Sequence, residues 1–135
     1  MVLWSEKFAT GSSTIDQQHQ MLINNVNHLE GMLTSTSPTP EECKLLFHLV
    51  DFLDSYAEMH FKIEEECMDS YRCPAHQKNK EEHAQFREFF HRFKARHTAE
   101  GFRPEVLKAL HQLASSWIER HILQVDIQLK PCLKG

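Results

Sequence analysis

His60 and Glu64 place an imidazole and a carboxylate four residues apart in the chain. Four residues make about one turn of an α-helix, so both side chains would lie on one helical face and point at one place in a protein interior. Imidazole and carboxylate together suit iron, zinc or manganese. The same spacing is also common in pairs that stabilise a single helical turn, so these two residues alone leave a metal site and a structural pair open.

Other segments carry polar residues that could meet at the same place, because they fall on apolar stripes with helical spacing. The candidate metal ligands are His19, His60, Glu64, His83, His121 and Asp126. Buried polar groups without partners are costly, and one shared metal would satisfy all of them. One pair fits less well, since His121 and Asp126 are five residues apart. Five residues correspond to an offset of about 140° around a regular helix, so bringing both side chains to one place requires a local distortion.

Four amphipathic helices are predicted to position these candidates, since apolar residues recur at intervals of three and four along four segments. Thr39, Pro40 and Glu42 form a strong helix start, with a capping residue, a proline at the first helical position and a capping box. No stretch alternates with period two, so no strand is predicted. We expect an all-α, up-down-up-down antiparallel four-helix bundle in one domain. The predicted elements are an irregular lead-in over 1–12 and helices over about 13–36, 40–69, 75–99 and 104–130.

Composition excludes several classes of protein. A net charge of −4 and a pI near 6.2 give no reason to expect nucleic acid or an anionic membrane as partner. The chain has no apolar run of about 18 residues, and its first residues lack the charged-then-apolar order of a signal peptide. The four cysteines form no CxxC pair, which argues against a zinc-finger or iron–sulfur site. We therefore expect a monomeric cytoplasmic protein with free thiols.

Four segments, in order along nearly the whole chain, resemble the signatures of the hemerythrin family, in the single-domain form of the bacteriohemerythrins. The segments are Ile15–Leu22, His60–Met68, Pro74–Phe86 and Trp117–Asp126, which resemble the family patterns IDxQHxxL, HFxxEExxM, PxxxxHxxxHxxF and WLxxHIxxxD. Jointly these patterns are highly specific. The resemblance implies a four-helix bundle with a non-haem di-iron centre, bridged by an oxo or hydroxo group, that binds O2 reversibly.

The resemblance also implies roles for individual residues. His19 and His60 would ligate the iron that receives O2, and Ile118 matches a bulky aliphatic position near the O2 pocket. Glu64 and Asp126 would bridge both irons. The remaining pair, His83 and His121, would ligate the second iron.

The chain departs from the family pattern at Asn79, where the resemblance implies a third histidine on the second iron. An asparagine carbonyl is a weak, neutral oxygen donor compared with imidazole. Three alternatives stay open. Asn79 or a water fills the position and leaves a looser second iron, His76 substitutes through a local rearrangement, or the second site is weak enough that one iron or another metal is found.

Three hypotheses about function follow. The leading one is an O2-binding protein for storage, transport or sensing that turns over no substrate. The rival is a di-iron enzyme acting on peroxide or nitric oxide, to which an open position at Asn79 gives weight. The third is a degenerate bundle with an altered or partly occupied metal site that acts through an unknown protein partner. Five histidines have no matching family position and are expected in surface or partly buried structural roles: His28, His48, His91, His97 and His111.

Overall fold

The computed structural model describes residues 2–32, 39–101 and 103–134, and no strand occurs among them. Each long helix packs against the next one in the chain, and α1 packs against α4, which closes the ring of a four-helix bundle. The predicted all-α fold is thereby confirmed. Its helices are α1 Ser13–Met32, α2 Pro40–Ser70, α3 His76–Glu100, α4 Pro104–Gln124 and a short α5 Leu129–Lys134, with 3-10 turns at Glu6–Phe8 and Asp126–Gln128.

The start of α2 is fixed by local hydrogen bonds that the capping box supplies. The Thr39 hydroxyl accepts a hydrogen bond from the backbone N–H of Glu42 at 3.2 Å, and the N–H of Thr39 donates to the Glu42 carboxylate at 3.3 Å. Pro40 occupies the first turn, where its missing N–H costs nothing. Gly101 ends α3 with a φ of 76°, a left-handed conformation that glycine adopts without strain.

Helix α4 ends earlier than the sequence predicts. We expected one helix over 104–130, but α4 stops at Gln124, and α5 begins at Leu129 after the turn Asp126–Gln128. Pro131 explains the break, because a continuous helix would need a backbone N–H that proline lacks. A new helix that begins at Leu129 places Pro131 in its first turn, where no N–H is required. The predicted end of the first helix, at 33–36, lies outside the described residues.

The apolar core consists of two clusters. The larger one fills most of the bundle and includes Leu22, Ala57, Phe86 and Ile118. The smaller one lies at one end of the bundle, where α1, α2, the loop before α3 and the segment after α4 meet; its buried members are Ile15, Met68, Cys73, Ala75, Val125 and Leu129. Along each ligand-bearing helix the candidate metal ligands fall between members of these clusters. None of the described helices has an apolar stretch of the length and hydropathy needed to cross a membrane.

Candidate metal centre

The candidate ligands meet in the interior, with each element of the bundle contributing at least one. Helix α1 brings His19, α2 brings two residues one turn apart, α3 brings His83, α4 brings His121, and the turn after α4 brings Asp126. All six are at most 2% exposed. Their ligating atoms form two groups that share both carboxylates: His19, His60, Glu64 and Asp126 in one, and Glu64, His83, His121 and Asp126 in the other.

Glu64 turns its two oxygens to opposite sides. Its Oε2 lies 3.1 Å from Nε2 of His19 and 3.3 Å from Nε2 of His60. Its Oε1 lies 3.3 Å from Nε2 of His83. We call the side of His19 and His60 the first position and the side of His83 the second position. One carboxylate therefore faces both positions at once.

Asp126 repeats this arrangement from the other end of the centre. Its Oδ2 lies 3.1 Å from Nε2 of His19, in the first position, and its Oδ1 lies 2.9 Å from Nε2 of His121, in the second position. Asp126 reaches His121 because α4 is interrupted between them. Val125 has φ −116° and ψ −57°, which departs from helical geometry and turns the following residue inward. This is the local distortion that the five-residue spacing required.

The donors fit a metal ion in their chemistry and spacing. Close N···O distances in both positions run from 2.9 to 3.3 Å. Neighbouring ligands of an octahedral ion with bonds of ~2.1 Å are ~3 Å apart. Oε1 of Glu64 and Oδ1 of Asp126 are buried without a hydrogen-bond partner among the described residues, although Nε2 of His121 stands close to both. A metal ion bound between the histidines would satisfy these lone pairs.

Three hydrogen bonds orient the ligand histidines from outside. The Nδ1–H of His60 donates to the side-chain oxygen of Gln18 at 2.8 Å. The Nδ1–H groups of His83 and His121 donate to carboxylates of Glu65 and Glu82, at 2.9 and 2.7 Å; these bonds join α3 to its two neighbours. Each bond fixes the tautomer that leaves the Nε2 lone pair facing the centre.

No sequence pattern identifies these outer partners, apart from their position next to a ligand in the chain. Glu65 and Glu66, the two residues after Glu64, would both be placed in solvent by the sequence alone, and for Glu65 that interpretation is wrong. Its side chain is only 18% exposed and accepts the hydrogen bond of His83, with Arg87 also nearby. The hydrogen bond from His83 holds the pKa of Glu65 below its usual value, so the carboxylate is ionised when it orients the ring. Glu66, the next residue, is exposed as expected.

Electrostatics in the centre favour bound positive charge. Burial acts to raise the pKa of Glu64, but the adjacent imidazoles of His19, His60 and His83 outweigh it and hold that pKa well below its usual value. Burial acts to lower the pKa of His19, but Asp126 and Glu64 outweigh it and raise the pKa to about 10. In the metal-free protein, a proton on His19 therefore partly neutralises the charge of the two carboxylates. A metal ion would take over that role and release the proton.

Asn79 lies within the centre, in the second position. It is fully buried, and its side-chain oxygen lies 2.9 Å from Nε2 of His121. Its amide nitrogen has no hydrogen-bond partner among the described residues. His76, the predicted substitute, lies instead in a surface groove between α2 and α3 that Glu65 and Lys80 also line. Of the two residues, Asn79 is the one placed to contact a metal ion in the second position.

Aromatic and aliphatic side chains wall the centre. The ring of Phe61 stacks on His83 at 3.9 Å between centroids, and Trp117 stacks on His121 at 4.4 Å. Ile118 is buried one turn before His121 and borders a gap next to Ile23 that is too narrow for a water molecule. These walls exclude water from the ligands.

Comparisons with known proteins place the chain beside metal-binding bundles. The model of the hemerythrin HHE cation binding domain matches residues 10–133. A bacteriohemerythrin of Stenotrophomonas maltophilia (strain R551-3) is 26% identical over 122 residues, which are 90% of this chain and 74% of that protein. The fold matches a crystal structure of wild-type hemerythrin with a TM-score of 0.82 at 23% identity, covering 100% of this chain and 99% of the other. A leucine-to-tyrosine mutant of hemerythrin has the same TM-score and identity, with 100% and 98% covered.

Proposed function

This chain belongs to the hemerythrin family of non-haem iron proteins that bind O2, and we propose that it binds O2 reversibly at two iron ions. The observation that carries this proposal is the double-facing arrangement of Glu64 and Asp126. Each carboxylate presents one oxygen to His19 and the other to a histidine of the second position. Two carboxylates that face both ways suit a pair of adjacent metal ions better than a single ion.

The two positions have unequal sets of donors. His19 and His60 would hold iron in the first position with one oxygen from each carboxylate, which makes four donors from the chain. His83 and His121 would hold the second iron with the other two oxygens, and the side-chain oxygen of Asn79 would be a fifth, weaker donor. An octahedral ion has six ligands, so the first position keeps more room for an incoming molecule. We therefore propose the first position as the site of O2 binding.

The surrounding residues would orient the iron ligands and keep water away from the site of O2 binding. Ferrous iron supplies the electrons that O2 needs to bind. Gln18, Glu65 and Glu82 hold three imidazoles with Nε2 facing inward. Phe61, Trp117 and Ile118 keep water away, which slows the displacement of bound O2. We also propose the cytoplasm as the compartment, since all four cysteines carry free thiols.

Anaerobic reconstitution tests the proposal. Protein loaded with ferrous salt and then desalted is expected to retain about two irons per chain. Admission of O2 should produce a new absorption band, and purging with argon should remove it. Glu64→Gln, which removes a buried charge that faces both positions, should retain little iron, whereas Glu66→Gln on the exposed face of the same helix should behave like the parent protein. Retention of one iron or none, or a band that argon does not reverse, would contradict the proposal.

A second candidate function rests on Asn79. A weak donor at the second position leaves that iron open to ligand exchange, which favours an enzyme acting on peroxide or nitric oxide. Stopped-flow spectra separate the candidates, because a persistent band after mixing with O2 indicates carriage, and repeated turnover of added peroxide indicates catalysis. The variant Asn79→His isolates the cause: it should slow iron release and suppress turnover. If its iron content and spectra equal those of the parent, Asn79 does not influence the metal.

A further inference from the structure

Cys73 and Cys132 lie side by side at one end of the bundle, although they are 59 residues apart in the chain. The two sulfur atoms are 2.6 Å apart, which is closer than a hydrogen bond between two thiols allows. A disulfide bond is ~2.05 Å long, and two thiolates on a tetrahedral zinc ion with ~2.3 Å bonds are ~3.8 Å apart. The observed separation is therefore closer to that of a covalent pair than to that of two ligands of one metal ion.

Other potential ligands near the pair do not complete a metal site. Cys67 packs against the same apolar cluster at the end of α2. Among the residues that the structure describes, however, no third cysteine, histidine or carboxylate brings a ligand atom close enough to form a group with Cys73 and Cys132. The pair stands alone, and its chemistry is that of two thiols.

We propose that Cys73 and Cys132 form an intramolecular disulfide when the protein meets a small-molecule disulfide oxidant. Cys132 is partly exposed and is the thiol that the oxidant can reach, whereas Cys73 is 4% exposed. The thiolate of Cys132 attacks one sulfur of the oxidant and releases the first small thiol. The thiolate of Cys73 then attacks the Cys132 sulfur of the mixed disulfide and releases the second. One oxidant disulfide is reduced to two thiols, which take up the two protons of the cysteines.

The new bond would tie the C-terminal helix to the loop between α2 and α3. In the reduced protein both thiols donate to the backbone carbonyl of Gln128, at 3.4 Å each. Gln128 closes the turn that begins with the metal-facing Asp126. Oxidation replaces these two weak hydrogen bonds with a covalent link that closes a long loop, and such links stabilise chiefly by restricting the unfolded chain.

Treatment of the iron-loaded protein with glutathione disulfide under argon tests the proposal. The expected product is a monomer about 2 Da lighter, without bound glutathione, whose peptide map joins Cys73 to Cys132. The oxidised protein should melt roughly 5–10 °C higher than the reduced one. Amide hydrogen exchange over residues 125–133 should slow as well.

Matched variants give the controls. Cys67→Ser, in the same patch, and Cys43→Ser, on the first turns of α2, should still form the link. Cys132→Ser should keep the mass of the reduced protein or stop at a glutathione adduct on another cysteine. A peptide map of the parent protein that joins Cys67 or Cys43, a cross-link between two chains, or no loss of mass would overturn the proposal. The parent map decides the matter even if a variant folds poorly.

Discussion

Glu64 is the residue on which both metal positions depend, because its two oxygens contact histidines on opposite sides. Replacement by glutamine removes the negative charge and leaves one oxygen where there were two. We expect Glu64→Gln to release iron at least about 100-fold faster from both positions. The rate is measured by transfer of iron to a ferrous chelator, with Glu66→Gln as the matched control. Biphasic release with one phase unchanged would show that Glu64 serves a single position.

Glu82 should affect only the second position, since it accepts a hydrogen bond from His121 alone among the ligands. Burial acts to raise the pKa of Glu82, but the hydrogen bond from His121 outweighs it and holds the pKa below its usual value. Glu82→Gln would exchange a charged acceptor for a neutral one. Such outer partners are typically worth 10–100-fold in metal affinity. We expect a loss of affinity of about that size for the iron of the second position alone, measured by competition with a ferrous chelator, with the exposed neighbour Glu81→Gln unchanged.

At this scale the sequence was informative about the ligands themselves. Helical periodicity alone identifies which side chains face the interior, and it does not depend on how the neighbouring helix is oriented. Six candidate ligands could therefore be found without coordinates. The outer partners Gln18, Glu65 and Glu82 could not. Whether a carboxylate reaches the Nδ1 of a ring on another helix depends on the rotation and register of both helices, which periodicity does not determine.

At the scale of elements, the cap of α2 gives a prediction about stability. The Thr39 hydroxyl and the Glu42 carboxylate satisfy two backbone N–H groups at the start of the helix. Thr39→Ala removes one of these bonds and should lower the free energy of unfolding by about 1 kcal/mol. Thr39→Ser, which keeps the hydroxyl, should lose much less. Both are measured by urea denaturation, and equal losses in the two variants would rule out the capping hydroxyl as the cause.

The packing of α3 on α2 makes stability depend on pH through His97. This side chain is 3% exposed, stacks between Phe47 and Phe93, and has a buried Nε2 without a hydrogen-bond partner among the described residues. Burial lowers the pKa of His97 below its ordinary value of 6.5, so the folded protein prefers the neutral ring. The unfolded chain then binds a proton first, and stability falls as the pH drops below about 6.5.

His97→Leu tests this dependence. Between pH 7 and pH 5 the melting temperature of the variant should fall by less than that of the parent protein, because leucine cannot be protonated in the folded or the unfolded state. His48→Leu removes an exposed histidine from α2 and serves as the control. If the parent and His97→Leu lose stability in parallel over this range, the burial of His97 does not govern the acid response.

The interruption of α4 shows where helix prediction reached its limit. The spacing of His121 and Asp126 indicated that a regular helix could not present both to one place, and Pro131 lay just beyond. Apolar periodicity nevertheless continues through Val125 and Leu129, which are both buried. A short 3-10 turn between two helices keeps nearly the same periodicity as one continuous helix. The position of the break therefore could not be predicted from the pattern of burial.

For the whole molecule, the metal centre should act as the principal cross-link between helices. Its donors come from all four long helices and the turn after α4, and the metal-free state buries two carboxylates against histidines. A ligand that binds only the folded state at 1,000 times its Kd adds about 4 kcal/mol. Removal of iron by a chelator should therefore lower the melting temperature by roughly 10–15 °C. A shift below about 2 °C would mean that the bundle is equally stable without metal.

The overall architecture could be predicted because four amphipathic segments with short connections have few ways to bury their apolar faces. The approach of Cys73 to Cys132 could not. It joins a loop to the last helix across 59 residues, and the cysteines lack the close spacing that marks a pair in sequence. Contacts of this kind depend on the path of the loops at the end of the bundle. That path has no repeating pattern of apolar residues from which it could be predicted.

The late position of Asp126 has a consequence for biosynthesis. A ribosome translates the four histidines and Glu64 before it reaches Asp126, and the interruption of α4 that aims this carboxylate inward involves residues beyond it. A nascent chain halted before Asp126 offers both iron positions a single shared carboxylate. Iron capture at both positions therefore has to wait until Asp126 and the turn that holds it have left the ribosome and can fold.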